Sequence, residues 1–120
     1  MKVLAANGRA DLTLEQAGSY SAAFESGYGR VTRLVYRTGD GQRLQVDSIY
    51  PARALSLMDG TGFTLTGSAS VRVGGAWAVR MDSDTDIRLH AVTSEGLYVV
   101  TLPKAAESML AQLVGGLQLQ

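Results

Sequence analysis

Residues 61–102, TGFTLTGSASVRVGGAWAVRMDSDTDIRLHAVTSEGLYVVTL, decide the fold: short runs of alternating apolar and polar residues are cut at near-regular intervals by Gly, Asp and Ser. Side chains alternate across a strand with period two, so the runs read as half-buried β-strands and the cuts as turns. Breaks at Gly74-Gly75, around Asp82–Asp86 and at Ser94-Glu95-Gly96 bound strands over Ser68–Val73, Trp77–Met81, Asp86–Thr93 and Leu97–Leu102. The inward row is expected to be Phe63, Leu65, Val71, Val73, Trp77, Val79, Met81, Ile87, Leu89 and Ala91. That row makes one wall of a core. Trp77 is read as a core residue; if exposed instead, it becomes the first anchor to test.

Upstream, residues 28–50 read as a hairpin around Gly39-Asp40-Gly41, with Gly41 in the left-handed conformation. The expected register sets Tyr36 opposite Leu44 and Leu34 opposite Val46, gathering the apolar side chains on one face. On the other face it pairs Arg33 with Asp47, and Arg37 with Arg43. The last pair repels unless something anionic lies over it. Pro51, which has no N–H for the ladder, ends the strand, and residues 53–66 suggest another hairpin pairing Leu55 with Leu65 and Leu57 with Phe63 around Asp59–Gly62. The first residues read as strands over Met1–Ala6, Ala10–Gln16 and Ser19–Glu25, cut at Asn7-Gly8, a strong hairpin signal, and at Ala17-Gly18. In the second of these, Leu12 and Leu14 face one way and Asp11, Thr13 and Glu15 the other.

After Pro103, residues 104–114 place Ala106, Met109, Leu110, Leu113 and Val114 on one stripe, with Gly115 as the C-terminal cap. A helix this short is marginal alone, so its stripe must dock on its own sheet or on a partner. The tail 115–120 alternates from Gly116 like a strand, which fits either pairing with a sheet edge or a frayed end. Turn signals about 8–12 residues apart point to an all-β, mainly antiparallel fold. The expected architecture is a small β-sandwich or partly closed barrel of meandering hairpins, about eight to ten strands over residues 1–102, with one short C-terminal helix. Residues 1–120 are read as one domain.

Composition narrows the function classes. Lys+Arg 11 against Asp+Glu 11 gives a net charge of zero, which removes the field that draws basic proteins to nucleic acid. With Cys 0 there are no disulfides, thiol nucleophiles or thiolate metal sites. No apolar run reaches the roughly 18 residues that span a bilayer, and the opening MKVLAANG is shorter than a secretory h-region of about 7–15 residues.

Candidate sites are few. Asp82, Asp84 and Asp86 are the nearest approach to a metal site, but an EF-hand starting at Asp82 needs Gly at Ile87 and Glu at Thr93, so a solvated turn is the better reading. No metal or other cofactor is expected. His90 is the only histidine; it alternates with Arg88 and Val92 opposite Leu89, and reads as a surface residue with no nucleophile elbow to serve. Gly60-Thr61-Gly62 lacks the rest of a phosphate-binding fingerprint. Arg30, Arg33, Arg37, Arg43 and Arg53, near Tyr28 and Tyr50, make a locally positive hairpin, which is either a solubilising face or a contact surface.

The function expected is therefore a non-enzymatic protein-interaction module, by analogy an accessory or assembly factor of a bacterial envelope or secretion complex. It would capture a peptide or amphipathic helix at a sheet edge or beside the C-terminal helix. Candidate partner-binding residues are Arg33, Arg37, Arg43, Met109, Leu110 and Leu113. The periplasm or the outer-membrane periphery is favoured on the same analogy. The alternative is a β-barrel binding a small ligand or carbohydrate, with an apolar pocket and Trp77 or tyrosines at its mouth. A carboxylate-based hydrolase ranks below both.

Overall fold

Alternation with period two builds nine strands among the described residues: β1 (Leu4–Ala5), β2 (Leu12–Phe24), β3 (Gly27–Thr38), β4 (Arg43–Tyr50), β5 (Thr64–Val73), β6 (Ala76–Asp82), β7 (Asp86–Thr93), β8 (Gly96–Pro103) and β9 (Gln118–Leu119). The structure, a computed structural model, describes residues 2–6, 8–24, 27–50, 62–94 and 96–120. Seven strands form one antiparallel sheet in the order β2-β3-β4-β8-β7-β6-β5, and β1 pairs with β9 in a separate ribbon. The large sheet does not close into a barrel, so β2 and β5 are its edges.

The β3–β4 hairpin has the register its apolar pattern demands. Tyr36 lies opposite Leu44, Leu34 opposite Val46, Arg33 opposite Asp47 and Arg37 opposite Arg43. Thr38 and Gln42 close the loop through Thr38 N to Gln42 O at 2.8 Å, with Gly41 at φ 87°. Only glycine takes that angle without steric cost.

One face of the sheet is covered by the C-terminal segment and the β1–β9 ribbon. Leu44, Val46, Tyr98, Val100, Leu89 and Ile87 are all buried there, beneath Ala106, Leu110, Leu113 and Val114. Removing each of the leucine, isoleucine and valine side chains from water contributes about 1.5–3 kcal/mol. Polar contacts seat the ribbon: Leu4 N donates to Ser48 Oγ at 2.9 Å, Ala6 N to the Tyr36 hydroxyl at 3.0 Å, and the Tyr98 hydroxyl to Lys2 O at 3.0 Å. The helix itself is shorter than its apolar stripe suggests. Lys104–Met109 is a 3₁₀ turn, and only Leu110–Gly115, α1, is α-helical, with Gly116 as its cap. Arg9 satisfies the helix end by donating to Leu113 O at 2.8 Å and Gln112 O at 3.1 Å.

Several expectations change. Asn7 lies outside the described residues, and β1 pairs with the tail, Leu4 opposite Leu119. Ala17-Gly18 does not break the strand: β2 runs through it, and an irregularity falls instead between Leu14 and Gln16. The β7–β8 ladder closes directly from Thr93 to Gly96, so Gly96 belongs to the strand. Pro51, Arg53, Leu55, Leu57 and the turn at 59–61 lie outside the described residues.

The largest correction concerns the inward row. Gly74 and Gly75 have φ of 61° and 90°, the two positive angles of a two-residue hairpin turn, so Val73 pairs with Ala76 and Arg72 with Trp77. Ala76 and Ala78 thereby share the helix-covered face with Val73, while Trp77 and Val79 point to the opposite one. Val71, Val73, Ile87, Leu89 and Ala91 are buried as expected. Met81 is buried too, but on the other face, where it lies opposite Arg88. Leu65, Trp77 and Val79 are exposed, and Phe63 is half-buried.

Candidate protein-interaction surface

The sheet face opposite the helix changes character from β4 to β5. At its centre Val31, Ile49, Leu97 and Val99 form a small buried cluster with Ala22 packed against it. Beside them Asp47 is buried, and its carboxylate accepts from Arg33 Nε and Nη2 at 2.8 and 3.2 Å and from Gln45 Nε2 at 3.1 Å. A buried carboxylate needs this many donors to offset its lost hydration. The same pair raises the Arg33 guanidinium above its ordinary value, its bond to Asp47 outweighing the opposing effect of burial. Arg88 lies over the Phe63 ring, 4.0 Å from its centroid, and burial pulls its guanidinium below the usual value against the attraction of Asp47 and Asp86.

Towards β5 the face turns apolar and open. Trp77 and Leu65 are each 61% exposed, Val92 47% and Val79 44%. They occupy three adjacent strands, with Leu65 opposite Met81 and Val79 opposite His90. The Arg72 guanidinium stands 4.9 Å from the Trp77 ring centroid. Scattered exposed apolar residues need no explanation, but four on one face of three adjacent strands, a tryptophan among them, do. Tryptophan, flanked by arginine, is what the centres of protein interfaces are enriched in.

The arginines singled out in the sequence are already engaged. Arg33 is bound to Asp47, and Arg37 and Arg43 share Glu15: Arg37 Nε lies 2.6 Å from one carboxylate oxygen and Arg43 Nε 3.6 Å from the other. Glu15 is the anion that the Arg37–Arg43 pair requires. It reaches them from the irregularity in β2 between Leu14 and Gln16. Arg30 donates to Ser19 Oγ at 3.1 Å, and Arg53 lies outside the described residues. Met109 is half-buried, and Leu110 and Leu113 are buried against the chain's own sheet.

The three aspartates do not converge. Asp82 receives a two-pronged bond from Arg80 at 2.8 and 2.9 Å, and that contact, ahead of the weaker pull of Lys104, holds its carboxyl below the usual range. Asp84 is exposed, and Ser83 organises the turn by accepting from Asp86 N at 3.0 Å. Among the described residues no group of three acids or histidines is placed to hold a metal ion. His90, expected at the surface, is only 5% exposed, because β7 is an interior strand and this face is buried around Val99, its neighbour in the ladder.

A cleft of about 580 Å³ opens at the other end of this face, lined by Gln16, Arg37, Gln42, Arg43, Gln45 and Asp86 among others. It has no aromatic wall, and neither His90 nor Trp77 lines it. A second, of about 480 Å³, lies along β2 beside Tyr20, Gly18 and Arg33. Among the described residues no helix is long and apolar enough to cross a membrane. No protein-family model matches this chain, and no curated protein or solved structure matches it either.

Proposed function

We propose that this chain is a non-enzymatic protein-interaction module that captures an amphipathic helix on the patch formed by Leu65, Trp77, Val79 and Val92. The observation that carries the reading is Trp77, 61% exposed on a protein whose core is built entirely from other residues. Three neighbouring strands about 4.8 Å apart make a strip roughly 10 Å wide, which matches an α-helix about 10–12 Å across with its side chains. The apolar stripe of such a helix would cover the four side chains, and an acidic residue at its margin would meet Arg72. Capture beside the C-terminal helix is the weaker variant, since Leu110 and Leu113 are buried.

Supporting a binding role over a catalytic one, His90 is buried away from both clefts, and Asp82 and Asp86 point to opposite faces. An accessory role in an envelope or secretion complex, at the periplasm or outer-membrane periphery, is the part of the proposal that rests on composition. A second reading, binding of a small polar ligand or carbohydrate, has the 580 Å³ cleft in its favour and the absence of an aromatic platform against it.

The test is comparative affinity purification with the wild type and Trp77→Asp. A partner recovered at stoichiometric level by the wild type and lost with Trp77→Asp supports the patch; identical recoveries overturn it. A thermal-shift panel of neutral oligosaccharides with Gln45→Ala as control decides the second reading.

A further inference from the structure

The two edges of the large sheet are built differently. β5 is irregular at Leu65/Gly67 and again at Ser68/Arg72, with Gly67 at φ 121° and Ser70 at φ 55°. Such breaks spoil a template for strand addition, and Arg72 adds a charge. β2 is exposed from Thr13 to Ser21, and after its single irregularity it runs from Gln16 to Phe24 without a charge or a proline. Its outer N–H and C=O groups are a ready edge.

We propose that two copies of this chain join antiparallel through β2, with the two-fold axis at Ser19. That register sets Gly18 opposite the other copy's Tyr20, Ala17 opposite Ser21 and Gln16 opposite Ala22, and brings no like charges together. The 480 Å³ cleft beside this edge, walled by Gly18, Tyr20 and Arg33, receives the incoming tyrosine. Within each copy Gly18 already lies opposite Arg33, whose guanidinium stands 5.5 Å from the Tyr20 ring centroid. A bulky aromatic across from a glycine covers backbone that glycine leaves bare. Tyr20, 41% exposed in the single chain, is thereby covered twice over by symmetry. Among the described residues β2 is the one regular edge of the large sheet, which explains why a second copy is the occupant: isologous pairing consumes both β2 edges and leaves the broken β5 edges outside, so the large sheet closes as a dimer instead of growing into a fibre.

The chain has no cysteine, so a single introduced thiol reports the axis cleanly. Directly opposed residues in an antiparallel ladder sit about 4.5–5.5 Å apart at Cα, within disulfide reach. Under mild oxidation Ser19→Cys should convert to a covalent dimer, whereas Thr66→Cys on the β5 edge should not. In sedimentation equilibrium the wild type should dimerise, and Tyr20→Lys, with unchanged circular dichroism, should weaken association about tenfold or more. A wild type that stays monomeric, or Thr66→Cys linking as fast as Ser19→Cys, overturns the proposal. Trp77 lies at the far side of the sheet, so Trp77→Asp should leave the dimer intact, and loss of either property is separable from loss of the other.

Discussion

The β3–β4 hairpin closes Thr38 on Gln42 around three residues, whereas β5–β6 closes Val73 on Ala76 around two. In the first, the odd loop keeps Leu34, Tyr36, Leu44 and Val46 on one face, packed into the main core. In the second, the even loop puts the small Ala76 and Ala78 under the helix and turns Trp77 and Val79 outward. Both hairpins obey the same alternation. One residue of loop length separates a strand pair that holds the fold together from one that displays an apolar surface.

Four experiments break or sharpen that contrast. Leu44→Ala, at a fully buried position, should cost about 2–5 kcal/mol by urea unfolding, as large-to-small core substitutions do. Inserting one glycine between Gly74 and Gly75 should cost about 1–3 kcal/mol, because the three-residue loop drives Trp77 into the space now filled by alanines. Glu15→Gln should cost about 0.5–1 kcal/mol by leaving Arg37 facing Arg43, and the loss should shrink in high salt. Trp77→Ala should change stability least, by less than about 1 kcal/mol, since little beyond the Arg72 contact is given up. An equal cost for Leu44→Ala and Trp77→Ala would erase the distinction.

Acid adds a further check at β6. The folded carboxyl of Asp82 is held below the ordinary 3.8 by Arg80, so its contribution is present above that value and disappears as pH falls through the lower folded one. The stability gap between wild type and Asp82→Asn should therefore be full near neutral pH and close on acidification below about 3.8. A gap that persists unchanged in acid would rule out the ion pair as its source.

Much of this was readable in the residues. The β3–β4 register followed from one buried face, since a slip of one residue would expose Leu34, Tyr36, Leu44 and Val46 together. The repulsion between Arg37 and Arg43 pointed to a covering anion, but not to Glu15, because the irregularity that delivers it depends on how β2 pairs. Continuing the alternation of Val71 and Val73 through Gly74-Gly75 puts Trp77 inward, whereas the two-residue turn that this dipeptide makes reverses the face. The pairing of β1 with the C-terminal tail joins residues more than a hundred positions apart, which local pattern does not encode. His90 looked superficial only because strand order, which local pattern does not encode, sets β7 inside the sheet.

Tryptophan emission reads the contrast most directly, since Trp77 is the single tryptophan in the chain. In the folded protein its fluorescence should be red-shifted, close to that of the unfolded chain, and freely quenched by acrylamide, with quenching lost when a partner helix binds. A blue-shifted emission shielded from acrylamide in the isolated protein would put the indole in the core and contradict the outward turn of β6.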